Sequence, residues 1–281
     1  MQKQQIRENK MKKGLLALSA ATLFVMTTPV QAKQEICVFD LLGRAGESYK
    51  LIEEWKLAAK NWQGDIELIP YQDEKKAEQD FDAGKCDGVY MTSMRARKYN
   101  KFAGSIDAVG AVTSNAIAQK AISFVLDNRN KHRLTASVGG EKYEVAGIIQ
   151  VGLTYIFVRD KNIDTIEKAK GKKFAYLHYD QAQKTIVESI DLIAVPSDIS
   201  NFVKKFNSGQ VDVIAAPAYA YKPLEISKGM ANGALFNFPV VNITGDLIIK
   251  PGKFPTNFGT QSRQWFINKL PSNFANIQRL E

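Results

Sequence analysis

Short apolar runs alternate along the chain with segments in which apolar residues recur at helical spacing. Residues 36–40 read as a strand, and 47–61 as an amphipathic helix with Leu51, Ile52, Trp55 and Ala59 on one face. Residues 65–70 read as the next strand, 75–83 as a helix and 87–91 as a third strand. The same order returns at 173–176 (strand), 180–187 (helix), 190–195 (strand), 200–207 (helix) and 211–215 (strand). Two βαβαβ units predict parallel sheet in an α/β layer architecture.

The units share residues as well as order. Ile66-Glu67-Leu68-Ile69-Pro70 answers Ile190-Asp191-Leu192-Ile193 with Pro196, and Phe81, Gly84 and Asp87 answer Phe206, Gly209 and Asp212. F-x-x-G-x-x-D has a mechanical meaning: an apolar last helical residue, a glycine able to cap the helix at positive φ, then entry to a strand. Residues 143–158, rich in Gly, Ile and Val, read as strands crossing between the units, and 240–249 as a return crossing. A terminal helix is expected around 262–269. The expected fold is therefore two-lobe α/β, each lobe a βαβ-based, mostly parallel sheet, joined by two crossover segments. Lobe 1 takes 33–153 plus 246–281 and lobe 2 takes 154–245, with a cleft that opens and closes by hinge motion.

The N-terminus changes the reading of charge. Lys10, Lys12 and Lys13 precede a thirteen-residue apolar run at 14–26, and Val30 and Ala32 follow at the −3 and −1 positions of a secretory signal cleaved after Ala32. That run is too short for a comfortable transmembrane helix, which needs about 20 residues, and Met11 offers a second start. Residues 1–32 are thus expected to be a cleavable signal peptide of an exported, periplasmic protein. Of the 281 residues, 38 are Lys or Arg and 29 Asp or Glu, a formal +9. Cleavage removes Lys3, Arg7, Lys10, Lys12 and Lys13 with Glu8, so +9 becomes +5. Spread over a chain of this size, that is a solubility charge and not a nucleic-acid footprint.

Two cysteines and two histidines are too few for a His/Cys zinc or iron–sulfur site, and no cofactor or metal is expected. Cys37 and Cys86 open apolar runs that would lie at the same end of neighbouring parallel strands. In an oxidising compartment a Cys37–Cys86 bridge is expected, two buried thiols being the alternative. The turn Gly43-Arg44-Ala45-Gly46-Glu47-Ser48 is neither a P-loop nor G-x-G-x-x-G, and no G-x-S-x-G or H-E-x-x-H occurs. It places Arg44 and free N–H groups before a helix, as a tight βα turn also would. His132 sits in a charged stretch, whereas His178 ends a strand, the end that faces the crevice in open α/β sheets. The strand ends and crossings instead supply a binding vocabulary: Asp40, Arg44, Thr92, Arg95, Thr154, Tyr155, His178, Tyr179, Tyr219 and Asn242, aromatic walls with a few polar anchors.

A signal peptide, two βαβ lobes, two crossings and no catalytic set together resemble the periplasmic solute-binding proteins of bacterial transport systems. The stretch FVRDKNIDTIEKAKGKKFAY at 157–176 is similar to the TRAP-type, dicarboxylate-receptor-like branch, where a strand, a short helix and a glycine-led strand enter the second lobe in this order. The chain also looks close to the AdeT-type proteins of Acinetobacter, which have been labelled components of RND drug efflux. The resemblance implies a monomeric, non-enzymatic protein. It would close on a small molecule (an organic acid, another solute or a drug) and deliver it to an inner-membrane transporter. An accessory role in multidrug efflux is the alternative, and a periplasmic enzyme using His178 a second. One cleavable apolar segment cannot itself form a pump. The arginine that pairs the substrate carboxylate in that family falls at Ala175 here, which leaves Arg44 or Arg95 to replace it. The family usually continues into further C-terminal helices beyond the position of Glu281, so a shortened C-terminus is expected.

Overall fold

A computed structural model describes residues 33–280; the expected signal peptide lies outside the described residues. In chain order the strands are β1 (Gln34–Phe39), β2 (Ile66–Tyr71), β3 (Gly88–Thr92), β4 (Thr135–Val138), β5 (Glu141–Val158), β6 (Lys173–Leu177), β7 (Ile193–Ser197), β8 (Val213–Pro217), β9 (Ala234–Leu235) and β10 (Val241–Ile249). The helices are α1 (Glu47–Ala59), α2 (Glu74–Asp82), α3 (Ser93–Ala96), α4 (Asn115–Leu126), α5 (Ile166–Ala169), α6 (Gln181–Ser189), α7 (Phe202–Asn207) and α8 (Phe258–Leu280). Both βαβαβ units form as the apolar periodicity predicts, with β1 parallel to β2 and β3, and β6 parallel to β7 and β8.

The crossings carry more of the architecture than their sequence suggests. The two lobes do not have separate sheets. One hydrogen-bonded path runs β2-β1-β3-β10-β5-β8-β6-β7, because β5 is a single 18-residue strand that pairs with β10 and then with β8. The apolar cores stay separate. Trp55, Tyr49, Phe81, Phe258 and Phe266 lie in one cluster, and the lobe-2 residues form two smaller clusters around Phe206 and Val213.

The repeated motif builds the same corner twice. Phe81 and Phe206 are fully buried, and Gly84 and Gly209 take φ of 76° and 77° after the helices, a region open to glycine at no steric cost. Asp87 Oδ2 accepts from Glu35 N at 3.0 Å and Asp212 Oδ2 from Lys173 N at 2.9 Å. Each acid ties its strand to the start of the neighbouring one. The copies differ one element earlier. Ile190 and Asp191 are not strand: Asp191 has φ of 60° and its carbonyl accepts from Gly171 N at 2.8 Å. The turn that follows α6 therefore occupies positions that are strand in the first copy. Pro70 and Pro196 both lie on strands at the ends of the sheet path, where the missing N–H costs no ladder bond.

The C-terminal helix is longer than its expected core and runs to Leu280 with Pro271 inside it. It packs on β5, whose ladder with β10 slips twice, leaving Val151 and Ala146 without register partners. Side chains of α8 meet those slips. Asn273 Nδ2 donates to Gln150 O at 3.2 Å and its Oδ1 accepts from Gln150 N at 3.1 Å. Ser262 Oγ donates to Ala146 O at 2.6 Å and accepts from Trp55 Nε1 at 2.8 Å. Buried backbone groups that lose a ladder partner must find another, and α8 supplies it.

The expected bridge is present: Cys37 and Cys86 are joined with Cα atoms 5.9 Å apart, across a sequence separation of 49. Closing a loop of that length restricts the unfolded chain by about 4 kcal/mol in the chain-entropy account. The double variant Cys37→Ala/Cys86→Ala should therefore lose about 2–4 kcal/mol in denaturant unfolding, and the native protein should show no titratable thiol in non-reducing denaturant. Free thiol in that titration would refute the bridge.

Candidate functional site

Strand alternation puts one face of β5 and β8 into a shared cavity. The antiparallel register sets Thr154 opposite Pro217, Ile156 opposite Ala215 and Val158 opposite Val213, and all six line it. On the lobe-1 side the walls are Asp40, Leu42 and Ser48 from the β1–α1 turn and α1, with Tyr90 and Thr92 from β3. The crossing strands add Gln150, Val241, Ile243 and Gly245, and the volume is about 1040 Å³, at the upper end of small-molecule sites.

Two glycines on the crossings let a tyrosine from each lobe lie against the backbone. A Cβ at Gly245 would stand 1.8 Å from the Tyr90 hydroxyl oxygen, and one at Gly152 would stand 3.0 Å from the Tyr219 ring. Tyr90 donates to Ser48 Oγ at 3.1 Å, and burial holds its phenol well above the ordinary range.

Of the ten residues singled out in the sequence, Asp40, Thr92, Thr154 and Tyr219 line this cavity. Asp40 is committed to the backbone, since its carboxylate accepts from Leu42 N, Ser48 N and Tyr49 N at 2.9, 3.1 and 3.3 Å. Burial raises its pKa against those bonds. Thr92 is held by Glu74 Oε1, at 2.8 Å from its N and 2.6 Å from its Oγ1. Tyr155 points the other way along β5 and packs on the core of lobe 2. Asn242 lies behind the wall, where its Oδ1 accepts from Gln150 Nε2 at 3.0 Å. The cavity residues Gln150, Ile156, Ala215, Phe236 and Phe238 were missed. Only the cross-strand register shows which alternate positions of β5 and β8 face one another.

The remaining four stand outside the cavity wall. Arg44 is exposed on its turn, with its guanidinium 5.6 Å from the Tyr49 ring. Arg95 is buried and its charge is already taken: Nε is 3.2 Å from Glu74 Oε2, and Nη1 bonds Glu78. Tyr179, entering from lobe 2, donates to Glu74 Oε2 at 3.2 Å and places its ring 3.8 Å below the Arg95 guanidinium. His178 Nδ1 is 3.2 Å from both Ser197 O and Asp198 Oδ1. Of these four, Arg95 and Tyr179 tie one lobe to the other through Glu74, while Arg44 and His178 bond within their own lobes, and the cavity wall beside them is mainly apolar. Neither arginine stands where a ligand in the cavity would meet it. Ala175 does line the cavity.

A second tie lies on the opposite face of β10. Arg97 Nη2 is 2.8 Å from Asp107 Oδ2 and 3.6 Å from Asp180 Oδ2, the acid that caps α6. Ser93 donates to the same Asp107 oxygen at 2.8 Å. Asp246 is buried beside them, with Oδ1 accepting from Thr244 at 2.9 Å and Oδ2 lacking a protein partner. Burial, opposed by Thr244 and reinforced by Asp107, pushes its pKa up to about 7 from 3.8. The folded protein therefore holds a proton at Asp246 that the unfolded chain releases near pH 4. The stability this proton contributes is complete at low pH and lost as pH rises toward 7. Asp246→Asn should raise Tm by several degrees at pH 8 and leave it unchanged at pH 4, read by thermal unfolding at both. An equal shift at both pH values would remove titration as the cause.

Comparison with known proteins agrees with this geometry. Residues 52–281 match the family described as solute-binding protein AdeT 1/2. The probable solute-binding protein AdeT1 of Acinetobacter baumannii is 38% identical over 245 residues, covering 87% of this chain and 79% of that protein. Among solved structures, a TRAP periplasmic solute-binding protein from Desulfovibrio salexigens with bound orotic acid has a TM-score of 0.68 at 14% identity, covering 88% and 80% of the two chains. A Haemophilus influenzae TRAP periplasmic solute-binding protein with bound L-gulonate has a TM-score of 0.70 at 11% identity, covering 88% and 82%. The two-lobe fold is theirs, and the sequence match covers most of the chain: it belongs to the AdeT 1/2 family of solute-binding proteins, which is not an enzyme family.

Proposed function

We propose that this solute-binding protein captures a small molecule in the cavity between its lobes and presents it, in the periplasm, to a membrane transporter component. The observation that carries the reading is the cavity itself. It is walled by both lobes and both crossing strands and is large enough to enclose an organic molecule. Closure around a ligand removes apolar wall and ligand surface from water, which stabilises the closed form. It also sets the Glu74–Arg95–Tyr179 contact, giving a membrane partner a lobe arrangement to recognise. Export fits the Cys37–Cys86 bridge and the secretory pattern that ends at Ala32. Among the described residues no helix is long and apolar enough to cross a membrane. Family and fold neighbours support solute capture over the efflux-accessory role, and His178 lies outside the cavity wall, its Nδ1 against Ser197 O and Asp198 Oδ1.

Native mass spectrometry of protein purified from the periplasm should reveal a small molecule that denaturation releases. Adding that molecule at a hundredfold above its Kd should stabilise the protein by about 2.7 kcal/mol, roughly 5–10 °C for a chain of this size. Ala215→Trp, which fills the wall, should abolish the shift while leaving the unliganded Tm close to that of the parent. A full shift in the variant would place the ligand elsewhere.

A further inference from the structure

The charge and exposure of the cavity wall say what it would hold. Among the described residues lining it no arginine occurs, and its two lysines, Lys50 and Lys269, are paired with Glu47 and Glu54 at 2.9 and 2.6 Å. Asp40 and Asp164 also line it, Asp40 held by backbone N–H groups and Asp164 paired with Lys168 at 2.7 Å, so the wall leaves no cation uncommitted. An anion taken out of water needs a charge-assisted partner to offset its desolvation. Arg95, buried outside the wall, places Nε on Glu74 and Nη1 on Glu78, with Nη2 3.8 Å from Asp198.

The apolar groups point the same way. Leu42, Val109, Ile166, Ile186 and Phe238 are 39–59% exposed, and all five line this cavity. Phe236 and Phe238 stack with centroids 5.9 Å apart and an interplanar angle of 12°, forming a flat aromatic surface on the same wall. Large side chains left in contact with water and gathered in one concavity mark a binding surface for apolar matter.

We infer that the ligand is a non-anionic molecule with a large apolar body, neutral or cationic at its polar end. The inference rests on the solute-capture reading. An apolar portion against Ile156, Ala215 and the Phe236–Phe238 stack would regain the contacts that these side chains lack. A carboxylate in the same place would meet acids and no free cation.

Calorimetric titration of the protein with three probes of equal size, 4-hexylbenzamide, 4-hexylbenzylamine and 4-hexylbenzoate, tests this. L-gulonate serves as the polar acid. The amide and the amine should each bind at least roughly tenfold tighter than the benzoate, with the negative heat-capacity change of apolar burial, and gulonate should not bind. Phe238→Ala, at an exposed position, should keep the parent Tm and weaken the amide by roughly tenfold, the effect of losing a buried aromatic contact. Tighter binding of the benzoate or of gulonate to the parent protein overturns the ligand class and leaves solute capture standing. Binding of none of the four at millimolar concentration overturns both.

Discussion

The pairing of β5 with β10 is the constraint on which the rest of the structure depends. These antiparallel strands belong to both lobes at once, so a break in their ladder would separate the two halves of the sheet. Their register slips at Val151 and Ala146, and each slip leaves backbone groups that must be satisfied inside the protein. Asn273, Ser262 and Arg263 of α8 take that role: Arg263 Nη1 donates to Val145 O at 3.0 Å and to Glu144 Oε1 at 2.6 Å. The C-terminal helix thereby fixes the path of the hinge strands, and through them the alternation that turns Thr154, Ile156 and Val158 toward the cavity.

Around that hinge, charge and apolar surface are divided. Polar strand-end residues meet across the lobes, with Glu74, Arg95 and Tyr179 on one side of the sheet and Arg97, Asp107 and Asp180 on the other. Buried Arg95 and half-buried Arg97 each stand against two carboxylates, so little of their field remains for a ligand. The cavity keeps the apolar remainder. A protein built this way gains affinity by excluding water from an apolar body, and uses its ion pairs to set how the lobes meet. Breaking one partner of such a buried pair is costly because it strands the other charge. The ties therefore specify one arrangement of the lobes more than they add to net stability.

Much of this was legible along the chain. Apolar periodicity located both βαβαβ units, and the doubled F-x-x-G-x-x-D marked corners where Gly84 and Gly209 do take positive φ. The cysteine positions gave the bridge, because two strand-opening cysteines on neighbouring parallel strands leave little freedom. The site was legible only in part. Residue type drew attention to Arg95, His178 and Tyr179, since charged and aromatic groups at strand ends are the usual contacts of a ligand. Nothing in their local sequence reports that Glu74, 21 residues before Arg95 and 105 before Tyr179, takes up the guanidinium and the phenol. Helix α4 and the exact span of α8 also escaped, the latter because Pro271 lies inside a helix whose neighbours hold it in place.

Local sequence by itself determined the elements, the two-unit repeat, the bridge and the mildly basic surface, because propensity, alternation and turn chemistry act over a few residues. Tertiary structure decided that the two sheets are one, that Val151 and Ala146 are bulged, and which charges are spent on each other. It also decided that the wall between the lobes is apolar and poor in cations. Those outcomes depend on the register between strands far apart in the chain. A shift of one residue there exchanges every side chain facing the ligand for its neighbour.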